Sequence, residues 1–240
     1  MTTEYLDFQA IVGITKHTGG LAATRDLLAL CHVDEAREVL EVGCGIGVGA
    51  ANLARDHGCR VVGIDRSQRM IDWAHRRAQE HGVTDRVELL VASATELPLE
   101  DDRFDIAYAE SVLAFVDDPA RAIREMVRVT RPGGYVGLNE SIWTKGLTPD
   151  LEGLARDLNV NVRSAETWRS LCEEAGLEDL VVKLRRIDPA VEVRNRLRWV
   201  GLPWALRAWG RTVRLIATEP ESRAAIRTFY GPGMSSFDCL

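Results

Sequence analysis

Residues 39–50 read VLEVGCGIGVGA. A short apolar run, interrupted by Glu41, enters three glycines at alternate positions, Gly43, Gly45 and Gly47, and continues into an alanine-rich stretch. Glycine takes positive φ without a Cβ penalty, so this pattern predicts a strand, a tight turn that a ligand can approach closely, and a helix. The helix start would offer unpaired N–H groups and a positive dipole end. Eighteen residues past Gly47, a second apolar run, RVVGI at 60–64, closes on Asp65. A carboxylate at that strand tip suits the two hydroxyls of a ribose. Turn and acid together predict a nucleoside-containing cofactor.

Outward from this stretch the pattern alternates. Residues 21–31 read as a helix, 37–42 as the first strand and 47–57 as a helix. Residues 60–64 follow as a strand and 68–81 as a helix behind the cap Ser67, stopped at Gly82. Further strands are expected at 86–91, 104–109, 135–139 and 180–187. Helices are expected from Asp118-Pro119 to about Val129 and over 165–175. Alternating strands and helices predict an α/β fold, a doubly wound, mostly parallel sheet. After residue 188 the alternation stops and the chain reads helical to about 229. The expected division is a cofactor-binding unit at 1–187, with an N-terminal cap, and a helical segment and tail at 188–240.

Composition narrows the function. The chain has 240 residues, 46% of them hydrophobic and 28% charged, which excludes a disordered chain and a small disulfide scaffold. The net charge of −6 argues against a general nucleic-acid binder. It is uneven, since residues 181–230 hold eleven Lys and Arg against four Asp and Glu. Five cysteines without C-x-x-C spacing read as thiols in a reducing cytoplasm. No metal-ligand spacing is present. The polar start MTTEYLDF lacks the features of a secretory signal.

Residues 45–50 also fit the dinucleotide fingerprint G-x-G-x-x-[GA]. Glu41 beside the glycines would repel a pyrophosphate and suits a cationic ligand instead, and no second mononucleotide half follows. The ordered motifs EVGCGIG, GID, LP, FD and PGG, within about residues 35–140, resemble class I S-adenosylmethionine-dependent methyltransferases. Among these the chain is most similar to the small-molecule group that includes ubiquinone- and menaquinone-biosynthesis C-methyltransferases.

The resemblance implies a Rossmann-like sheet of six or seven strands and S-adenosylmethionine as cofactor. It places the methionine moiety at Glu41, Gly43, Cys44, Gly45 and Gly47, the ribose at Asp65, and the adenine beside Arg66 and Met70. Ser93-Ala94 stands where the family usually has Asp-Ala, with Thr95 as neighbour. The fourth strand tip, Ala109-Glu110-Ser111, is implied to meet the methionine amino group by backbone carbonyl and to face the acceptor. Glu110 is therefore the first catalytic candidate, and His17, in the loop implied to cover the cofactor, is the second. Asn139 and Glu140 close the fifth strand and are expected to line the acceptor site.

In the C-terminal segment, Leu202, Leu206, Trp209, Val213 and Ile216 recur at helical spacing beside Arg207, Arg211 and Arg214. This predicts a lid, with Leu206 and Trp209 on the acceptor wall, and a weak membrane-surface contact through 194–217. The expected activity is methyl transfer to a small, apolar or lipid-like acceptor. A protein or RNA methyltransferase and a non-catalytic S-adenosylmethionine-binding protein are the alternatives.

Overall fold

In a computed structural model, the structure describes residues 2–15, 19–142, 160–185 and 197–218, together with Gly153 and Ala155. The elements are α1 (Thr2–Val12), α2 (Gly20–Leu30), β1 (Glu38–Val42), α3 (Val48–Asp56), β2 (Arg60–Asp65), α4 (Gln68–His81), β3 (Val87–Val91), β4 (Phe104–Glu110), α5 (Pro119–Val129), β5 (Thr130–Asn139), α6 (Ala165–Glu174) and α7 (Leu202–Thr218). The strands form one sheet in the order β3-β2-β1-β4-β5, with every pair parallel. Strand order reverses beside β1, where an open α/β sheet leaves a crevice at the strands' carboxyl ends.

Both faces of the sheet are buried, and the two-residue period of a strand sorts its side chains between them. Val39, Val61, Ile106 and Tyr108 pack on one face with Leu28 of α2 and Leu53 of α3. Leu40, Val62, Ile64 and Ala107 pack on the other with Ile123 and Met126 of α5 and Trp168 of α6. Each buried side chain of this size contributes about 1.5–3 kcal/mol. The helices begin where local chemistry allows. Ser67 Oγ accepts from the N–H of Met70 at 3.4 Å, and Asp118 Oδ1 from that of Arg121 at 2.9 Å, with Pro119 in the first turn. Each such cap contributes about 1 kcal/mol.

Among the described residues the sheet has five strands, not the six or seven expected. The alternating stretch at 180–187 is not a strand over residues 181–185, and Val181, Val182 and Leu184 are exposed. Lys183 and Arg185 instead pair with Asp26 of α2, which holds the segment against that helix. Residues 186–187 lie outside the described residues.

β5 is longer than expected. Thr130 already pairs with Phe104, and pairing resumes at Tyr135 with Ile106, so 131–134 bulge out of the ladder. Gly134 is required in this bulge, because a Cβ there would stand 2.7 Å from the Asp105 carbonyl oxygen. Asp105 Oδ2 accepts from the N–H groups of Arg37 at 2.5 Å and Glu38 at 2.8 Å, while Oδ1 meets Arg131 at 2.7 Å. The acid of the FD pair thus ties the start of β1 to the bulge.

α7 packs on α1 and α4. Trp204 Nε1 donates to the Gly13 carbonyl at 2.7 Å and Arg211 Nε to that of Val12 at 2.6 Å. Arg77 of α4 is buried, donates to the carbonyls of Ile46 and Val200, and lies 4.0 Å from the Trp204 ring. Burial pushes its guanidinium down to about 10. No described helix is long and apolar enough to cross a membrane.

Packing is tight under α3. A Cβ on Gly49 would fall on the Glu41 carboxyl and 2.6 Å from the Tyr108 hydroxyl, both in the interior. Gly49→Ala should therefore destabilise the fold by about 1–3 kcal/mol, the usual cost of overpacking. Urea denaturation measures this, and an unchanged midpoint would contradict the packing described.

Candidate functional site

A cavity of about 400 Å³ opens at the carboxyl ends of β1, β2 and β4. That volume lies in the range of small-molecule sites. Its floor is the glycine turn. Gly43 and Gly45 line it, at φ +73° and +52°. A Cβ on Gly45 would stand 2.9 Å from Thr15 Oγ1, and one on Gly43 would strike Val112, so both positions exclude side chains.

Asp65, at the tip of β2, also lines the cavity. Its Oδ2 accepts from the N–H of Gly45 at 3.0 Å and its Oδ1 from that of Ser67 at 2.9 Å. The carboxylate joins the glycine turn to the start of α4. Burial raises its pKa, and the two N–H donors oppose that rise. Arg66, Met70, Ser93, Ala94 and Thr95 line the same side. Ser93 Oγ and Thr95 Oγ1 are 2.8 Å apart, and Ser93 Oγ also accepts from the Thr95 N–H, so the Ser-Ala-Thr turn is held from within.

Glu110 lines the opposite side. Thr24 Oγ1 of α2 lies 2.8 and 3.0 Å from its two oxygens, and Asn139 Nδ2 of β5 donates to Oε1 at 3.0 Å. Glu110 is thus fixed by donors from two neighbouring elements. The next residue, Ser111, has φ +55° and also lines the cavity. Such backbone costs about 1–3 kcal/mol in a non-glycine residue and concentrates at functional sites.

Several expected residues stand elsewhere. Glu41 is buried beneath α3 and is not on the cavity lining, because strand alternation turns it to the same face as Val39. Its carboxyl faces the Tyr108 hydroxyl and the Ala50 backbone N–H. Cys44 turns its side chain into the core with Ile71 and Leu89, and Gly47 packs on Ala74 of α4. Asn139 is not on the lining, but its side chain donates to Glu110 and its carbonyl accepts from the Ser111 N–H at 2.7 Å, and Glu140 accepts from the N–H groups of Val112 at 3.0 Å and Leu113 at 2.8 Å. Glu140 therefore shapes the loop after β4, and burial pushes its carboxyl up to about 7. Leu206 and Trp209 are also absent from the lining. They face solvent, because the face of α7 that packs inward carries Trp204, Ala208, Thr212 and Leu215. His17 lies outside the described residues. Among the described residues no group of three His, Cys, Asp or Glu is placed to hold a metal ion.

The structure adds lining residues that sequence reasoning missed. Leu6, Asp7 and Gln9 of α1 close one side, and Val112, Phe115, Val116, Asp117, Asp118 and Arg121 another. Thr24 was legible only as one of three polar residues in α2, beside Arg25 and Asp26. The α1 residues carried no motif at all.

The chain resembles known proteins. A family model described as a methyltransferase domain matches residues 40–138. "Methyltransferase GfsG" of Streptomyces halstedii is 31% identical over 207 residues, covering 80% of this chain and 74% of that protein. A phosphoethanolamine N-methyltransferase of Triticum aestivum is 28% identical over 182 residues, covering 75% of this chain but 35% of its own longer sequence. The fold is shared with an S-adenosylmethionine-dependent methyltransferase from Geobacter sulfurreducens, solved with S-adenosyl-L-homocysteine. It has TM-score 0.67 and 24% identity, with 95% of this chain and 90% of that chain covered.

Burial of Glu41 has a measurable consequence. Desolvation, with the nearby Glu110 charge, pushes its carboxyl from about 4.5 up to about 8. Between those values the folded chain keeps a proton that the unfolded chain releases, so this group lowers stability as pH rises through that window. Glu41→Gln should flatten that part of the stability–pH curve, measured by urea denaturation at successive pH values. Parallel curves for the two proteins would contradict the burial of an acidic Glu41.

Proposed function

Because the chain belongs to the S-adenosylmethionine-dependent methyltransferases, we propose that it transfers the methyl group to a small organic acceptor with an apolar body, held between Glu110 and the loop after β4. The observation that carries this reading is that Asp65 and Glu110, at the tips of the two strands that flank β1, line one cavity. Asp65 accepts the ribose hydroxyls. Gly43 and Gly45 leave room for the methionine chain, and Met70 and Ala94 flank the adenine. Bound there, the cofactor supplies a methyl group already activated by its sulfonium.

The remaining work falls to positioning. Holding an acceptor atom in line with the methyl group supplies much of the rate in a displacement of this kind. Leu6, Val112, Phe115 and Val116 give the acceptor an apolar surface. Glu110, held still by Thr24 and Asn139, stands ready to orient a polar acceptor atom or the cofactor's ammonium group. If the acceptor atom carries a proton, Glu110 is the carboxylate placed to take it. Relatives named phosphoethanolamine N-methyltransferases make an amine a natural member of the acceptor panel, beside phenols and quinol precursors.

Two measurements test this reading. Asp65→Ala should weaken S-adenosylmethionine binding by about 1.5–3 kcal/mol, the worth of charge-assisted hydrogen bonds. Calorimetry giving an unchanged affinity would remove Asp65 from the cofactor site. With methyl-labelled cofactor and the acceptor panel, label should appear in a small-molecule product, and Glu110→Gln should slow the transfer by on the order of 10²-fold. Label found only in protein or RNA would contradict the proposal.

A further inference from the structure

The outward face of α7 is an anomaly for a soluble surface. Leu202, Leu206, Trp209 and Val213 are 60%, 61%, 66% and 44% exposed, and they recur at steps of four, three and four along one side of the helix. Four large apolar side chains in a row on a surface call for a partner. α7 does not need this stripe for its own packing, since its inward face is filled by Trp204, Ala208, Thr212 and Leu215.

The charge around the stripe defines that partner. α7 has no acidic residue and carries Arg207, Arg211 and Arg214. Arg76 of α4 joins them. Arg76 and Arg211 both lie on the Trp73 ring, at 4.6 and 4.4 Å. Burial, then the charges of Arg207 and Arg76, lower the Arg211 pKa, so like charges stand close together here. One ion pair relieves the cluster among the described residues, Arg207 with Glu80 at 3.2 Å. An anionic lipid surface answers both features, taking Leu and Trp into the headgroup boundary and pairing phosphates with the arginines.

We propose that the outward face of α7 docks on a membrane surface bearing anionic lipid. The stripe enters the interface, and Arg207 and Arg214, the exposed arginines of α7, meet lipid phosphates, while Arg211 is turned inward onto the Val12 carbonyl. The contact is peripheral. α7 also grips the carbonyls of Val12 and Gly13, at the end of the helix that brings Leu6, Asp7 and Gln9 to the cavity. This surface does not depend on the acceptor reading above.

Co-sedimentation of the full chain with large unilamellar vesicles tests the proposal, comparing phosphatidylcholine alone with phosphatidylcholine mixed with phosphatidylglycerol. The chain should pellet with the mixed vesicles and not with the neutral ones, and should be released in about 1 M salt, where the screening length falls to ~3 Å. The double variant Leu206→Ser, Trp209→Ser should bind the mixed vesicles on the order of tenfold more weakly while keeping its affinity for S-adenosylmethionine. Arg214→Glu, which leaves the stripe intact, should weaken vesicle binding in the same direction. Failure to pellet with the mixed vesicles, or equal binding to both kinds, would overturn the proposal. So would a dimer in light scattering that the double variant dissociates, which would give the stripe to a second copy. Binding that appears only in a chain ending at Thr218 would give it to residues 219–240, and would equally overturn the proposal.

Discussion

The N–H of Gly45 donates to Asp65 across 3.0 Å, and this bond ties the turn after β1 to the tip of β2. The same carboxylate accepts from Ser67, the residue that caps α4. One side chain thereby fixes the glycine turn, the end of β2 and the start of α4 relative to one another. The constraint requires positive φ at Gly45, which a larger residue would adopt only with strain and against Thr15. Everything a ligand meets on this side of the cavity is referred to that bond. Asp65 thus shapes the site before any cofactor arrives.

The opposite side rests on a second clamp. Thr24 and Asn139 come from elements far apart in sequence, and the fold brings both to Glu110. Glu140 organises the loop that follows by accepting from Val112 and Leu113. Asn139 and Glu140 therefore serve the site from behind, one through Glu110 and the other through the loop.

The parallel sheet was legible in the sequence because each strand is a short apolar run with turn chemistry at its end. Ser67 and Asp118-Pro119 marked their helix starts for the same reason. Asp65 and the glycines were legible because local backbone requirements select them. The direction of Glu41 was also within reach, as strand alternation from Val39 sends it beneath α3 and away from the cavity. Other features depend on tertiary context. The run at 181–185 alternates like a strand, yet its basic residues find Asp26 of α2. In α7 the apolar arc is wider than one packing face. Periodicity alone did not reveal that Trp204 and Leu215 turn inward while Leu206 and Trp209 turn out. The α1 residues at the cavity carry no pattern of their own, since their position comes from how α7 and α4 hold that helix.

The most direct test of the account is a crystal structure with S-adenosylhomocysteine bound. Both ribose hydroxyls should lie within hydrogen-bond distance of the Asp65 carboxylate. The methionine chain should lie over Gly43 and Gly45, with the sulfur facing the space between Glu110 and Phe115. A ligand whose ribose contacts another acid, or whose sulfur points away from Glu110, would contradict the account.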